Sequence, residues 1–161
     1  MQNVDLFVFA RALHVICVIL WIGGVGFVTT VLIPAVRRIA EPDERLALFE
    51  RLEQAFSFQA KLTTLLTGFS GAYMLSFIQG WEHFLQLQYW WLQLMTLVWL
   101  IFTLVLFVFE PWFLHRWFHL QALKDSDRAF TLLHRMHKIL LVLSLLAAAG
   151  AVAGAHGFHF G

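Results

Sequence analysis

Residues 11–37 read RALHVICVILWIGGVGFVTTVLIPAVR. Two arginines bracket an apolar run broken by one histidine, His14. About 20 apolar residues suffice to cross the ~30 Å hydrocarbon core of a bilayer, so this stretch is first of all a transmembrane helix. Its span is expected from about Ala12 to Ile33, with Arg11 at the outer interface. The apolar stretch begins earlier, at Leu6, and is too long for the core of a signal peptide. MQNVDLF ahead of it has no basic residue, so the segment is read as a retained first helix.

Three further apolar runs follow, at about Leu62 to Ile78, Tyr89 to Phe109 and Ile139 to Ala155. The expected fold is an all-α integral membrane four-helix bundle, a single domain over 1–161. Composition agrees. Hydrophobic residues make up 60% of the chain, charged residues only 13%, and mean hydropathy is +0.75. A soluble domain is about a quarter charged. The seven Trp and seventeen Phe suit aromatic belts at two interfaces. Net charge is +1 with no basic tract, so nothing points to nucleic acid.

The basic residues set the expected orientation. Arg37, Arg38, Arg45, Arg51 and Lys61 lie in the first connection, and Arg116, Lys124, Arg128, Arg135 and Lys138 in the third; Arg11 is alone elsewhere. The positive-inside rule puts both connections in the cytoplasm and both termini on the non-cytoplasmic side. The expected location is a bacterial inner (cytoplasmic) membrane, crossed several times.

The first connection has helical features of its own. Pro42 suits a first helical position, and Asp43 and Glu44 suit a first turn. Leu46, Phe49, Leu52 and Phe56 then fall at helical spacing. An amphipathic cytoplasmic helix is expected, lying at the interface or extending the second span. Asp125 is a candidate N-cap for the fourth helix. Small residues mark packing faces: Ser144, Ala148, Ala151 and Ala155, the Gly150/Gly154 pair, and Thr64, Thr67, Gly68 and Gly71.

The first helix also carries the sharpest chemical signal. His14, Cys17, Trp21, Gly24 and Val28 follow three-four spacing and occupy an arc of roughly 80°. A polar group facing lipid is costly, so His14 is expected to face the bundle interior. Neutral imidazole can ligate haem iron, copper or zinc. Cys17, one turn deeper, would suit Cu(I) as a thiolate; otherwise it is a small buried hydrophobe, since the lone cysteine forms no intramolecular disulfide. The glycines at 23–26 make a thin place where a neighbouring helix or a flat cofactor can approach.

The remaining histidines fall into two groups. His115 and His119, with His134 and His137, can share helical faces toward the cytoplasm. They form either a second metal site or part of an interfacial belt. His83, His156 and His159 lie on the outer side. Antiparallel first and fourth helices bring His156 or His159 toward the depth of His14, making either a candidate second ligand. Met74, Met95 and Met136 are read as apolar packing. Glu110, the deepest acid of the third span, is expected to pair with a nearby base, and Lys61 to reach the interface. No phosphate-binding loop or Ser-His-Asp arrangement is present, and GGVG lacks the preceding strand of a dinucleotide fingerprint.

The first helix, through His14, Trp21, Gly23, Gly24 and Pro34, resembles the copper-resistance protein D (CopD) family and its small four-helix relatives. RLALFERLEQAFSFQAKLTTLLTGFSGAYML resembles that family's second helix, ending at Thr67 and Gly68. The same first-helix pattern looks like the HemJ family, which binds haem b and oxidises protoporphyrinogen. That resemblance makes His14 a haem ligand; the HemJ third-helix lysine has no counterpart here, where Gln93 stands in the comparable region.

Three functions remain open at this point. The first is a haem-b redox protein that exchanges electrons with a quinone or a redox protein, with His14, Trp21, Gly24, His156 and His159 around the cofactor. The second is copper binding or transport through His14 and Cys17 outside and His115, His119, His134 and His137 inside. The third is a non-enzymatic assembly subunit, and a homo-oligomer is compatible with all three.

Overall fold

The computed structural model describes residues 2–39 and 41–157, with side chains throughout that range except at 2, 3 and 113–115. Every regular element in it is helical. Helix α1 (Gln2–Phe27) runs through a π-helical stretch, Val28–Leu32, into the short α2 (Ile33–Val36). Pro34 explains the change of ladder. It has no N–H to offer the carbonyl four residues back, and its ring clashes there. The ladder widens by one residue, and the Ile33 N–H donates to the Val28 carbonyl.

Helix α3 (Pro42–Phe77) begins with Pro42, Asp43 and Glu44 in its first turn, as the sequence predicts. It runs unbroken for 36 residues. The amphipathic segment and the second apolar run are therefore one helix. Beyond its cap the chain turns at Gln79, whose φ of +54° stops further helix. Two 3₁₀ turns, Gly80–Leu85 and Leu87–Tyr89, lead into α4 (Trp90–Leu104). A second π-helical stretch, Val105–Leu114, contains Pro111 and passes into α5 (His115–Lys124). Helix α6 (Ser126–Ala155) is capped by Asp125, whose side chain accepts from the Arg128 N–H at 3.0 Å.

Three helical stretches are long and apolar enough to cross a membrane: Val4–Val36, Leu87–Trp112 and Ser126–Ala155. The last starts well before the span expected at Ile139, because one helix carries both the polar head and the apolar run. The apolar part of α3 is diluted by Lys61 and by a row of Thr and Ser residues. The exterior is apolar too. Phe58 and Phe69 are 74% and 71% exposed, and α1, α4 and α6 carry many exposed Leu, Ile and Val side chains. Soluble monomers seldom show continuous surfaces of that kind.

Helix α1 packs chiefly along α3 and α4 along α6, with further contacts between α1 and α6 and between α3 and α4. The four long helices thus form a closed ring of antiparallel neighbours. Glycines set the closest approaches. The Trp90 ring and the Trp91 Cβ fill the space at Gly150, and the Trp91 ring lies over Gly154. Trp99 lies over Gly68 and donates from Nε1 to the Thr64 carbonyl at 2.9 Å. At the end that carries the basic connections, Phe49, Phe118 and Phe130 pack with centroids 5.4–5.5 Å apart. Arg45 closes this cluster, 5.9 Å from the Phe130 ring centroid.

Candidate functional site

Helix α1 turns His14 toward α3, and the sequence of α3 receives it. The Nδ1–H donates to the Thr67 carbonyl at 3.0 Å and lies 3.1 Å from Ser70 Oγ. The Ser70 hydroxyl donates its own proton to the Leu66 carbonyl at 2.5 Å, which leaves its oxygen free to accept. Two acceptors at one ring nitrogen place the proton on Nδ1. The lone pair is then on Nε2, which has no partner among the described residues. Metal-bound histidines have this arrangement: the distal N–H is held by a carbonyl, and that bond fixes the tautomer and the ring orientation.

Gly71 makes room for the ring. A Cβ there would stand 3.1 Å from His14 Cε1. The segment Thr67–Gly71 therefore supplies a carbonyl, a hydroxyl and a gap, all to one imidazole. In the sequence these residues mark only a packing face.

His14 lines a cavity of about 450 Å³ between α1, α3, α4 and α6. That is within the usual range for small-molecule and cofactor pockets. Its walls are apolar and aromatic, with Trp21, Trp81, Phe84 and Trp99 among them, and Gly68 and Gly71 on one side. Two polar atoms of its lining residues, Trp21 Nε1 and Thr67 Oγ1, are buried without a hydrogen-bond partner. Each such orphan costs about 1–3 kcal/mol unless a guest or water satisfies it. Met74 and Met95 line the same cavity. Sequence spacing could not show this, because they sit on different helices.

The other expected site residues lie apart from His14. Cys17 is buried at 3% exposure and lines neither of the two main cavities. The shared arc does not give a shared environment: Cys17 is rotated about 60° from His14 around the helix, and of the two only His14 opens on the void. Gly24 is a thin place, but the Phe56 ring of α3 fills it, so a neighbouring helix rather than a cofactor uses the space. His156 is exposed, donates from Nδ1 to the Val152 carbonyl of its own helix at 2.8 Å, and does not line the cavity. His159 and the side chain of His115 lie outside the described residues.

The inner histidines also take separate partners. His119 Nδ1 is 2.8 Å from Glu50 Oε1. His134 donates from Nε2 to the Thr29 carbonyl at 2.9 Å, within the first π-helical stretch. His137 donates from Nδ1 to the Leu133 carbonyl at 3.0 Å. Among the described residues, no group of three or more His, Cys, Asp or Glu side chains could hold a metal ion. Glu110 does find the expected base. It accepts from Lys61 Nζ at 3.1 Å and from Ser57 Oγ at 2.6 Å.

No family model matches this chain, and neither a curated protein nor a solved structure is significantly similar to it.

Proposed function

We propose that the protein is a membrane redox protein that binds haem b in the cavity beside His14, with Nε2 of that histidine as an axial ligand. The observation that carries this reading is the bare Nε2 lone pair on a ring whose Nδ1–H is held by the Thr67 carbonyl, at the wall of a cavity of about 450 Å³. The residues present fit such a group. The walls are apolar and aromatic, and Trp21 Nε1 and Thr67 Oγ1 are buried donors in want of an acceptor. Haem would supply a one-electron iron couple. The chain's own part is to hold the imidazole in one tautomer, to exclude water with aromatic walls, and to set the potential through axial ligation and burial. Electrons would be exchanged with a quinone or a redox protein.

The proposed topology has four spans, with the apolar half of α3 as the second, both termini on the non-cytoplasmic side, and the start of α3 extending into the cytoplasm of a bacterial cell. Ten basic residues in the first and third connections against Arg11 elsewhere support it. The His14 cavity then lies in the outer half of the membrane.

Copper binding is the second reading. Met74 and Met95 favour it, because thioether sulfur beside an imidazole suits Cu(I) and both line the His14 cavity. In this form the site uses His14 with the two methionines rather than Cys17. One experiment separates the two. Detergent-purified protein, supplemented with haem, should show a Soret band that His14→Ala abolishes. A colourless wild-type protein carrying one Cu(I) per chain, lost in Met74→Leu/Met95→Leu, would replace the haem reading with the copper one.

A further inference from the structure

A second cavity, of about 140 Å³, lies toward the end of the bundle that carries the basic connections. Its wall is mostly apolar, yet Glu53, Ser57, Glu110 and His137 all contribute to it. These four come from α3, from the π-helical stretch after α4, and from α6. Helices α1 and α5 contribute only apolar and aromatic side chains, such as Val25 and Trp117. Ionisable groups inside a membrane bundle are rare and mark ion or proton routes. The Glu110 side chain is only 19% exposed and is held by Lys61 and Ser57. His137 faces the same space, with its proton committed to Leu133 through Nδ1 and its Nε2 free to accept one.

Two independent features agree. Both π-helical stretches, Val28–Leu32 and Val105–Leu114, border this cavity through Val28, Leu32, Val105, Leu106 and Glu110. Such widened turns occur often at functional sites. Trp21 lines this cavity and the His14 cavity alike, so one indole stands between the two.

We infer that this chamber is a proton-binding site filled by water from the basic end of the bundle. The chamber of about 140 Å³ has room for water, and Glu53, Ser57, Glu110 and His137 are the polar side chains in its wall that would bind it. A proton arriving from the bulk through that water is taken up at the Glu110 carboxylate. Lys61 and Ser57 keep the carboxylate in place between uptakes. Trp21 ends the route, one side chain from the cavity in which His14 lies. The inference does not depend on what the outer cavity binds.

The test uses the full chain in sealed vesicles of both orientations, in a Cys17→Ala background. Ala60→Cys and Leu133→Cys place thiols on the chamber wall from two different helices. Leu62→Cys places one on the exposed apolar side of α3 as a control. A charged, membrane-impermeant thiol reagent should label both chamber positions at least tenfold faster than Leu62→Cys, and from one membrane face only. The protonated-carboxyl infrared band that appears on acidification should lose a component in Glu110→Gln and shift in Glu110→Asp. If both chamber thiols label as slowly as Leu62→Cys, the chamber is dry and the inference fails. If they label but neither Glu110 variant alters the band, the chamber is wet without binding protons, and the inference fails as well.

Discussion

The imidazole of His14 lies against the backbone of Gly71, and the fit depends on the missing side chain: a Cβ at Gly71 would stand 3.1 Å from His14 Cε1. A methyl group there needs a shift of a few tenths of an ångström. A larger side chain displaces the ring from the Thr67 carbonyl. Gly71→Ala should retain cofactor, whereas Gly71→Leu should lower its affinity about 10–100-fold, the usual cost of disturbing the partner that orients a metal-bound histidine. Absorbance titration of both variants with haem checks this. Equal affinities for the two would show that the ring's placement is irrelevant to binding.

Gly24 plays a different part. Its missing side chain admits the Phe56 ring, which a Cβ would overlap. Gly24→Leu should therefore destabilise the α1–α3 contact by about 1–3 kcal/mol, as overpacking does elsewhere. Adding Phe56→Ala should recover part of that loss. Thermal unfolding in detergent of the single and double variants measures the coupling; strictly additive effects would contradict the contact.

Arg45 and Asp127 form an ion pair at 2.6 Å, but the two side chains are unequal: one is 8% exposed, the other 81%. The exposed carboxylate is screened by water, so Asp127→Asn should cost no more than about 1 kcal/mol. Arg45 also donates to the Ile39 carbonyl from two nitrogens and to Ser126 Oγ, and it covers Phe130. Arg45→Ala should cost clearly more than Asp127→Asn, because several partners lose a donor together. Comparable melting temperatures for the two variants would refute this ranking.

Phe130 has no exposed surface and packs against both Phe49 and Phe118. Truncation leaves a void that rigid neighbours cannot close. Phe130→Ala should destabilise the protein by about 3–5 kcal/mol, measurable as reduced resistance to denaturant in micelles, with the His14 cavity spectroscopically unchanged.

Much of the architecture is legible in the chain because hydropathy and helix-end chemistry are local. The bilayer length scale picks out the runs around Trp21, Trp99 and Ser144. Pro42 with Asp43 and Glu44 marks the start of α3, and Asp125 marks the start of α6. His14 as an inward-facing side chain also follows from local cost, since lipid offers imidazole no partner. The π-helical stretches were not legible. Pro34 and Pro111 announce a disturbed ladder, but not the form it takes. Cys17 and Gly24 show the limit of helical spacing: an arc of side chains on one helix does not say which neighbour covers which part of it.

By itself, then, the order of residues determined a helical membrane protein, the ends of its helices and one histidine that must turn inward, because each of these rests on interactions within a turn or two of chain. Which atom of that histidine is bound and which is bare was decided only by tertiary packing. So were the meeting of Met74 and Met95 at its cavity and that of His137 with Glu110, which Lys61 holds, at a second one. Those relationships join helices far apart in sequence, and the distance between two helices is set by the side chains of both.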